Sequence, residues 1–337
     1  KTFPPIWYSD DEWNHYNVQG ILDASLLFLD HFVHARDTDV FAEHVPFVAA
    51  AVEWFRQRWQ ENGADADGNI IIYPTQVVET WQCPGFPPTL DNCVTNDAPT
   101  VAGLQAVVSR LVALPTSTYQ GLVPDATLAK WRAFAETVPP LPFDSEGALA
   151  PCEKCPSGTS NVENGELYAV HPYRLYTAAN GQDLAPAIAA FHKMRFPGDN
   201  GWNQVAMDAA LLGLASEAQG YVRTRAQTPP ATGYRFPGFM PHEQDYPPSS
   251  DHLAVFSNAL TYMLLQTADD DEQSVLLLPA WPCDWDVSFK LHAPLRTVIQ
   301  GNLTNGSFIF SVEPASRAGA VRAASCQPSS KPSDAFA

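Results

Sequence analysis

A series of segments in which apolar residues recur at helical spacing most constrains how this chain can fold. Over residues 17–36 and again over 40–60, apolar side chains return every third or fourth position, the pattern of a helix that buries one face. An Asp-Thr-Asp turn at 37–39 joins the two segments. Because a short connection places consecutive helices antiparallel, the sequence predicts a helical hairpin here.

The same spacing predicts five more helices, at 98–113, 126–137, 184–195, 202–224 and 250–267. Short β-rich runs are predicted at 69–73, 274–278, 287–292, 297–302 and 307–313. The expected organisation is mainly α: a helical domain over 1–270, a small C-terminal β-module over 271–315, and an extended or disordered tail over 316–337. Long Pro-rich loops between the helices are where such a scaffold would carry a site.

The charge balance argues against several classes of partner. The chain has 19 Lys and Arg against 37 Asp and Glu, a net charge of −18, with no basic cluster. Binding of nucleic acid or of an anionic membrane surface is therefore disfavoured. No run of eighteen apolar residues appears, so no membrane span is predicted. A neutral or weakly polar substrate fits this composition better.

The cysteines and the sequons favour a secreted protein. There are six Cys, and only Cys152 and Cys155 have C-x-x-C spacing, in a loop rich in Pro, Gly and Ser. A zinc knuckle would need a second such pair, so disulfides are expected rather than metal or redox chemistry. The sequons at Asn302 and Asn305 indicate a glycoprotein. Because the chain starts at Lys1 without a signal peptide, we expect a mature or proteolysed chain, or a fragment whose N-terminal partner is missing.

Two acidic residues are the leading catalytic candidates. Glu79 stands in a loop that carries Pro74 and Trp81, a suitable place for a general acid. The alternative is a structural carboxylate that caps a helix or pairs with a basic group. Asp251 follows Ser250 at the start of a predicted helix, where an ordinary N-cap is the competing interpretation.

Other polar and aromatic residues could contact a substrate. His171, Tyr173 and Arg174 form a dense cluster that suits sugar hydroxyls, or equally an internal network that anchors a loop. Trp202 and Asn203, at a predicted helix start, could supply a stacking face and an amide, although a Trp there is more often core. The sequence contains no phosphate loop, dinucleotide fingerprint, nucleophile elbow or zinc helix motif, so no cofactor and no metal are expected.

Taken in order, several segments resemble glycoside hydrolase family 95, the inverting α-L-fucosidases and their relatives. Tyr-Pro-Thr-Gln-Val-Val-Glu, ending at Glu79, stands where that family has its Ser-Pro-Glu-like motif. Val-His-Pro-Tyr-Arg-Leu-Tyr, at 170–176, is similar to the family's Ser-His-Leu-Tyr-Gly-Leu-Tyr, and Gly-Trp-Asn, at 201–203, to its Gly-Trp-Ser. The best match starts at Asp251, continues through Met-Leu-Leu-Gln at 263–266, and ends with Leu-Leu-Pro-Ala-Trp-Pro at 277–282.

This resemblance, to a divergent member or a sister family, implies a catalytic (α/α)6 toroid, partial in this chain, followed by the β-module. It implies that Glu79 is the general acid and that Asp251, directly or through an amide, activates water. The family's paired asparagines would precede Lys1, so a missing N-terminal segment is a possible partner. The implied sugar site is lined by Trp81, His171, Tyr173, Arg174, Trp202 and Asn203.

Two rival functions stay open at this point. A polysaccharide lyase on a similar scaffold would use His171, Tyr173 and Arg174 as base and charge neutraliser. A non-catalytic extracellular glycoprotein would keep the groove for carbohydrate binding or assembly. An unsaturated product that absorbs ultraviolet light would indicate the first, and sugar binding without turnover the second.

Overall fold

A computed structural model describes residues 14, 16–83, 93–114, 116–119, 121–198, 201–227, 250–270 and 272–325. The chain divides into two compact units. The first comprises Lys1–Leu175 with His192–Phe196, and the second comprises Tyr176–Phe191 with Pro197–Ala337. Helices dominate both the sequence pattern and the structure, and the strands in the described ranges form three small sheets.

The first unit starts with the predicted helical hairpin. Helix α1 spans Gly20–Ala35 and helix α2 spans Thr38–Arg58. Asp37 caps α2, because its Oδ1 accepts the backbone N–H groups of residues 39 and 40 at 3.1 and 3.0 Å. The apolar faces of the two helices meet at Phe32 and Phe41, whose ring centroids are 4.3 Å apart. The hairpin prediction is therefore confirmed.

Two further helices complete the core of this unit. Helix α3 spans Ala98–Ala113 and packs against α1 and against α4, which spans Asp125–Ala135. Strand β1, Thr95–Asp97, leads directly into α3 and pairs antiparallel with β2, Cys152–Lys154. A 3-10 helix over Gly165–Ala169 also packs on α3. These contacts place the segment 139–169 next to the loop that precedes β1.

The predicted strand at 69–73 is wrong, because side chains take the place of a neighbouring strand. Asn62 Nδ2 donates to the backbone oxygens of Ile71 and Tyr73 at 2.8 and 2.5 Å. Asn96 Oδ1 accepts the backbone N–H of Ile72 at 2.9 Å. With its main-chain groups satisfied in this way, the segment needs no ladder and forms only an isolated bridge at Ile70.

The second unit contains four helices among its described residues. These are α5 at Ala185–Lys193, whose last two residues cluster with the first unit, α6 at Val205–Leu211, α7 at Ala215–Gln227 and α8 at Ser250–Leu264. The single helix predicted over 202–224 is instead two helices. Gly213 has φ of +76° and ends α6 in a left-handed turn, a conformation that suits glycine and stops a helix.

Two sheets belong to the second unit. Strand β3, Leu265–Thr267, continues directly from α8 and pairs antiparallel with β4, Val275–Leu277, which pairs in parallel with β8, Val321–Ala323. The segment 265–267 is thus a strand, not the helix end that was predicted. Strands β5 at Val287–Ala293, β6 at Thr297–Thr304 and β7 at Ser307–Glu313 form an antiparallel meander at the predicted positions.

The predicted domain boundary and C-terminal tail fall in a part of the chain that forms β-structure. The boundary at 270/271 stays a prediction, and the β3–β4 pairing crosses it. The predicted tail begins with a 3-10 helix, Ala315–Ala320, and strand β8, while 326–337 lies outside the described residues. No helix in the described part of the chain is long and apolar enough to cross a membrane. The (α/α)6 toroid also stays a prediction.

Candidate functional site

Glu79 lies on a tight turn whose backbone is constrained on both sides. Val77 and Trp81 form a bridge, with the Val77 N–H donating to the Trp81 carbonyl at 3.0 Å. Between them Val78 has φ of +43°, a left-handed conformation that β-branched residues avoid. Gln76 Nε2 donates to the Val78 carbonyl at 2.5 Å, which holds this strained residue in place. The turn therefore presents Glu79 from a fixed backbone.

Two asparagine amides orient the Glu79 carboxylate. Asn14 Nδ2 donates to Oε1 at 3.1 Å, and Asn161 Nδ2 donates to Oε2 at 2.9 Å. Each amide has its own orientation set by a second hydrogen bond on its oxygen. Asn17 Nδ2 donates to Asn14 Oδ1, and the Val162 N–H donates to Asn161 Oδ1, both at 2.9 Å. The NH₂ groups must then face Glu79, whose two oxygens both act as acceptors.

A second glutamate lies beside this carboxylate. Asn161 Nδ2 is also 3.3 Å from Glu163 Oε1, which places the Glu79 and Glu163 oxygens within about 6 Å of each other. Thr80, the residue after Glu79, hydrogen-bonds the other Glu163 oxygen and accepts the Glu163 N–H at 2.9 Å. Burial raises the pKa of Glu163, and the nearby Glu79 charge adds to the effect against the opposing Thr80 hydrogen bond.

A third glutamate, Glu166, is buried in the 3-10 helix that follows. Its side chain is only 7% exposed, and among the described residues its Oε2 has no hydrogen-bond partner. Burial raises the pKa of Glu166 to about 7, because an ionised carboxylate loses its hydration there. The preceding Gly165 touches the Glu79 turn so closely that an added Cβ would lie 2.1 Å from Val77 Cγ1.

Trp81 is buried rather than displayed. It is 8% exposed and belongs to an apolar cluster beneath the turn, formed by Val77, Val78, Trp81, Val94 and Cys152, with Tyr168 packed against them. Its packing explains why the turn holds its shape. A direct contact of Trp81 with substrate stays a prediction.

The predicted cluster after residue 170 is anchored to helix α1. The Tyr173 hydroxyl donates to Asp23 Oδ1 at 2.6 Å, and Tyr173 is fully buried. Arg174 Nη2 donates to Asp30 Oδ1 at 2.7 Å. Burial and the neighbouring Arg174 charge lower the pKa of His171 to about 3, so its ring is neutral at ordinary pH. These contacts match the loop-anchoring interpretation, and a substrate role for the three residues stays a prediction.

The remaining predicted residues belong to the second unit. Trp202 is half-buried, and Asn203 Oδ1 accepts the Val205 N–H at 3.2 Å at the start of α6. The buried Arg225 donates to the carbonyls of Gly201 and Asn203 at 2.8 and 2.9 Å, which ties this segment to α7. Asp251 lies in the first turn of α8, and its side chain lies outside the described residues. The pairing of Glu79 with Asp251 stays a prediction.

Two disulfides brace the first unit close to the turn. Cys83 is bonded to Cys93, and Cys152 to Cys155 at the start of β2. The preference for disulfides over a Cys-x-x-Cys metal or redox site is confirmed for these four residues. Cys283 is a free thiol in the second unit, and Cys326 lies outside the described residues. Within the described ranges, no cluster of three or more His, Cys, Asp or Glu side chains could hold a metal ion.

Sequence reasoning did not find the partners of Glu79. Asn14 and Asn161 are 65 and 82 positions from Glu79, and Glu163 is 83 positions from Thr80. Nothing in their local sequence indicates that they converge. A weak signal was present in the Asn-Val-Glu-Asn-Gly-Glu run at 161–166, where polar side chains crowd a short loop. The site thus combines the oriented Glu79 carboxyl with Glu163, whose pKa is raised above the ordinary glutamate value by burial.

The chain is similar to a known protein in structure only. No family model matches the chain, and no curated protein does. A solved structure of the glycoside hydrolase class is similar at a low level. It is a GH78 family rhamnosidase of Bacillus sp. GL1, 13% identical, with a TM-score of 0.47 over 90% of this chain. The chain spans 32% of that rhamnosidase, and a likeness this weak decides neither fold nor reaction.

Proposed function

We propose that this protein is a glycoside hydrolase that removes a neutral or deoxy sugar from an oligosaccharide, a polysaccharide or a glycoprotein glycan. The observation that carries the proposal is Glu79, a half-buried carboxylate on a strained turn, oriented by two amides and placed beside Glu163. Glycoside hydrolysis requires carboxyl groups that donate and accept protons, and it requires no cofactor. The net charge of −18 agrees with a neutral sugar substrate better than with a polyanion.

The roles follow the resemblance to inverting α-L-fucosidases. Glu79 protonates the oxygen of the leaving group, and Asp251, directly or through an amide, activates water on the opposite face of the sugar. The product then has the inverted anomeric configuration. The sugar-contact residues of this proposal are Trp81, His171, Tyr173, Arg174, Trp202 and Asn203.

Turnover of aryl α- and β-glycosides and of plant or algal oligosaccharides tests the proposal. Glu79→Gln keeps the shape of the side chain and removes the transferable proton, so kcat/KM should fall by about 10²–10⁴-fold on aryl glycosides or natural oligosaccharides. Asp251→Asn should cause a comparable loss, and NMR of the first-formed sugar should show inversion. Glu61→Gln is the matched control, because Glu61 is an exposed glutamate of the same unit.

Wild-type turnover that survives Glu79→Gln, with folding intact, would contradict this assignment. One observation favours a second candidate, binding without catalysis: both Glu79 oxygens already accept hydrogen bonds from the protein. A protein that binds the oligosaccharides in calorimetry and hydrolyses none of them would have that function. An unsaturated product would instead indicate the lyase.

A further inference from the structure

The position of Glu163 suggests more than a structural role. One amide nitrogen, Asn161 Nδ2, reaches a carboxyl oxygen of Glu79 and a carboxyl oxygen of Glu163, at 2.9 and 3.3 Å. Two carboxyls held this close cannot both ionise as easily as two separate ones, since each charge opposes the other. The amide fixes their separation, because Val162 N–H holds its oxygen and leaves the NH₂ group between the two glutamates.

Among the described residues, no positively charged side chain contacts either carboxyl. The contacts of the two carboxyls in the described part of the chain are with Asn14, Asn161 and Thr80, and none is with a Lys, Arg or His. The charged group that acts on Glu163 from the neighbouring turn is Glu79 itself. The pair is therefore electrostatically coupled.

From this geometry we infer that Glu163 is a positioning residue of the site, which holds one proton jointly with Glu79 and so controls when Glu79 can act as an acid. The catalytic consequence rests on the proposed function, whereas the shared proton does not. In this scheme Glu163 makes no contact with the sugar, and its two oxygens lie against Thr80 and Asn161. It acts through Glu79.

The two carboxyls have different hydrogen-bond partners. Burial raises the pKa of Glu163, which is hydrogen-bonded to Thr80. Glu79 accepts two amide N–H groups. While the pair holds its one proton, Glu79 can act as an acid only when that proton is on Glu79. The pair as a whole loses this proton at a higher pH than a single glutamate would.

A titration that needs no turnover tests the inference directly. The side-chain carboxyl carbons of glutamate are followed by ¹³C NMR against pH in the full chain, in wild type, Glu79→Gln, Glu163→Gln and the exposed control Glu61→Gln. Each of the two site variants should move the titration of the remaining partner by about one pH unit, downward. The control should leave both titrations in place. If Glu79 titrates at the same pH in wild type and in Glu163→Gln, the inference is overturned.

The pH profile of kcat/KM gives the catalytic readout. In Glu163→Gln the basic limb, where the acid loses its proton, should move to lower pH by about one unit, whereas a merely structural role would lower the rate at every pH. Asn161→Ala provides a second variant if Glu163→Gln does not fold. It removes the donor that stabilises the charged pair, so its basic limb should move upward. Coupled titration without any turnover would defeat the proposed function and leave the pair intact.

Discussion

The backbone at Val78 stores strain directly before Glu79. A β-branched residue at φ of +43° costs on the order of 1–3 kcal/mol, and the surrounding structure must supply that energy. Here the burial of the Val78 side chain and the hydrogen bond from Gln76 compensate. Strain of this kind concentrates at functional sites, which supports the choice of this turn over other acidic loops.

Glu166 yields a prediction on stability. Burial raises the pKa of Glu166 in the folded protein from its ordinary value of 4.5 to about 7. The folded state thus binds the proton more tightly than the unfolded state, and the free energy of unfolding falls as pH rises from about 4.5 to 7. Glu166→Gln cannot ionise, so at pH 8 it should be more stable than wild type by roughly 3 kcal/mol, and the difference should vanish near pH 4.

Urea unfolding at pH 4, 6 and 8 measures this difference. Glu61→Gln, at an exposed position, should unfold like wild type at each pH. An equal stability of wild type and Glu166→Gln at pH 8 would show that a partner satisfies Glu166 in solution.

Two elements, the Glu79 turn and the 3-10 helix Gly165–Ala169, meet at a single glycine. A methyl group on Gly165 would lie 2.1 Å from Val77 Cγ1, so the two segments approach this closely only without a side chain there. Gly165→Ala should cost about 1–3 kcal/mol in the free energy of unfolding, as overpacking does, and should lower turnover by displacing Glu79.

Gly158→Ala is the matched control, because a Cβ at Gly158 meets no atom within 4 Å. Thermal unfolding and turnover are measured for both variants. A Gly165→Ala protein as stable and as active as the Gly158→Ala protein would mean that the turn relaxes freely.

Helices and strands were predictable to different degrees. Helices α1, α2 and α4 follow the apolar periodicity, because each buries one face. Helix α3, which was predicted with the same bounds, buries most of its residues. Helix α6 is buried on all sides, so its sequence has no polar face to mark where it ends, and Gly213 decides the break. The run 69–73 has the composition of a strand, but it forms no sheet, because the side chains of Asn62 and Asn96 hydrogen-bond to its backbone.

At the scale of the whole molecule, we propose from the disulfides and the two sequons that the protein passes through a secretory pathway. Asn305 lies at the tip of the β6–β7 hairpin, exposed, with Gly306 beside it, both at positive φ as a type I′ turn requires. Asn302 lies within β6, and its Nδ2 donates to Ser288 Oγ at 2.6 Å. A glycan fits the tip better than the sheet, so Asn305 should carry it.

Glycopeptide mass spectrometry of protein secreted from eukaryotic cells tests this assignment. Asn305→Gln should remove the glycan from this hairpin, and Asn302→Gln should retain it. A glycan found on Asn302 and not on Asn305 would refute the argument from hairpin geometry.

The amino-acid sequence by itself determined the helical character of the chain, the positions of most helices and strands, and a charge balance that disfavours nucleic acid as a partner. Those features depend on residues close to one another, whose periodicity and composition act locally. It also singled out Glu79 through its loop and its family resemblance. Only the tertiary structure decided what surrounds Glu79, because hydrogen bonds to Asn14 and Asn161 join residues 65 and 82 positions apart. Partners so distant are selected by packing, and no local pattern records them.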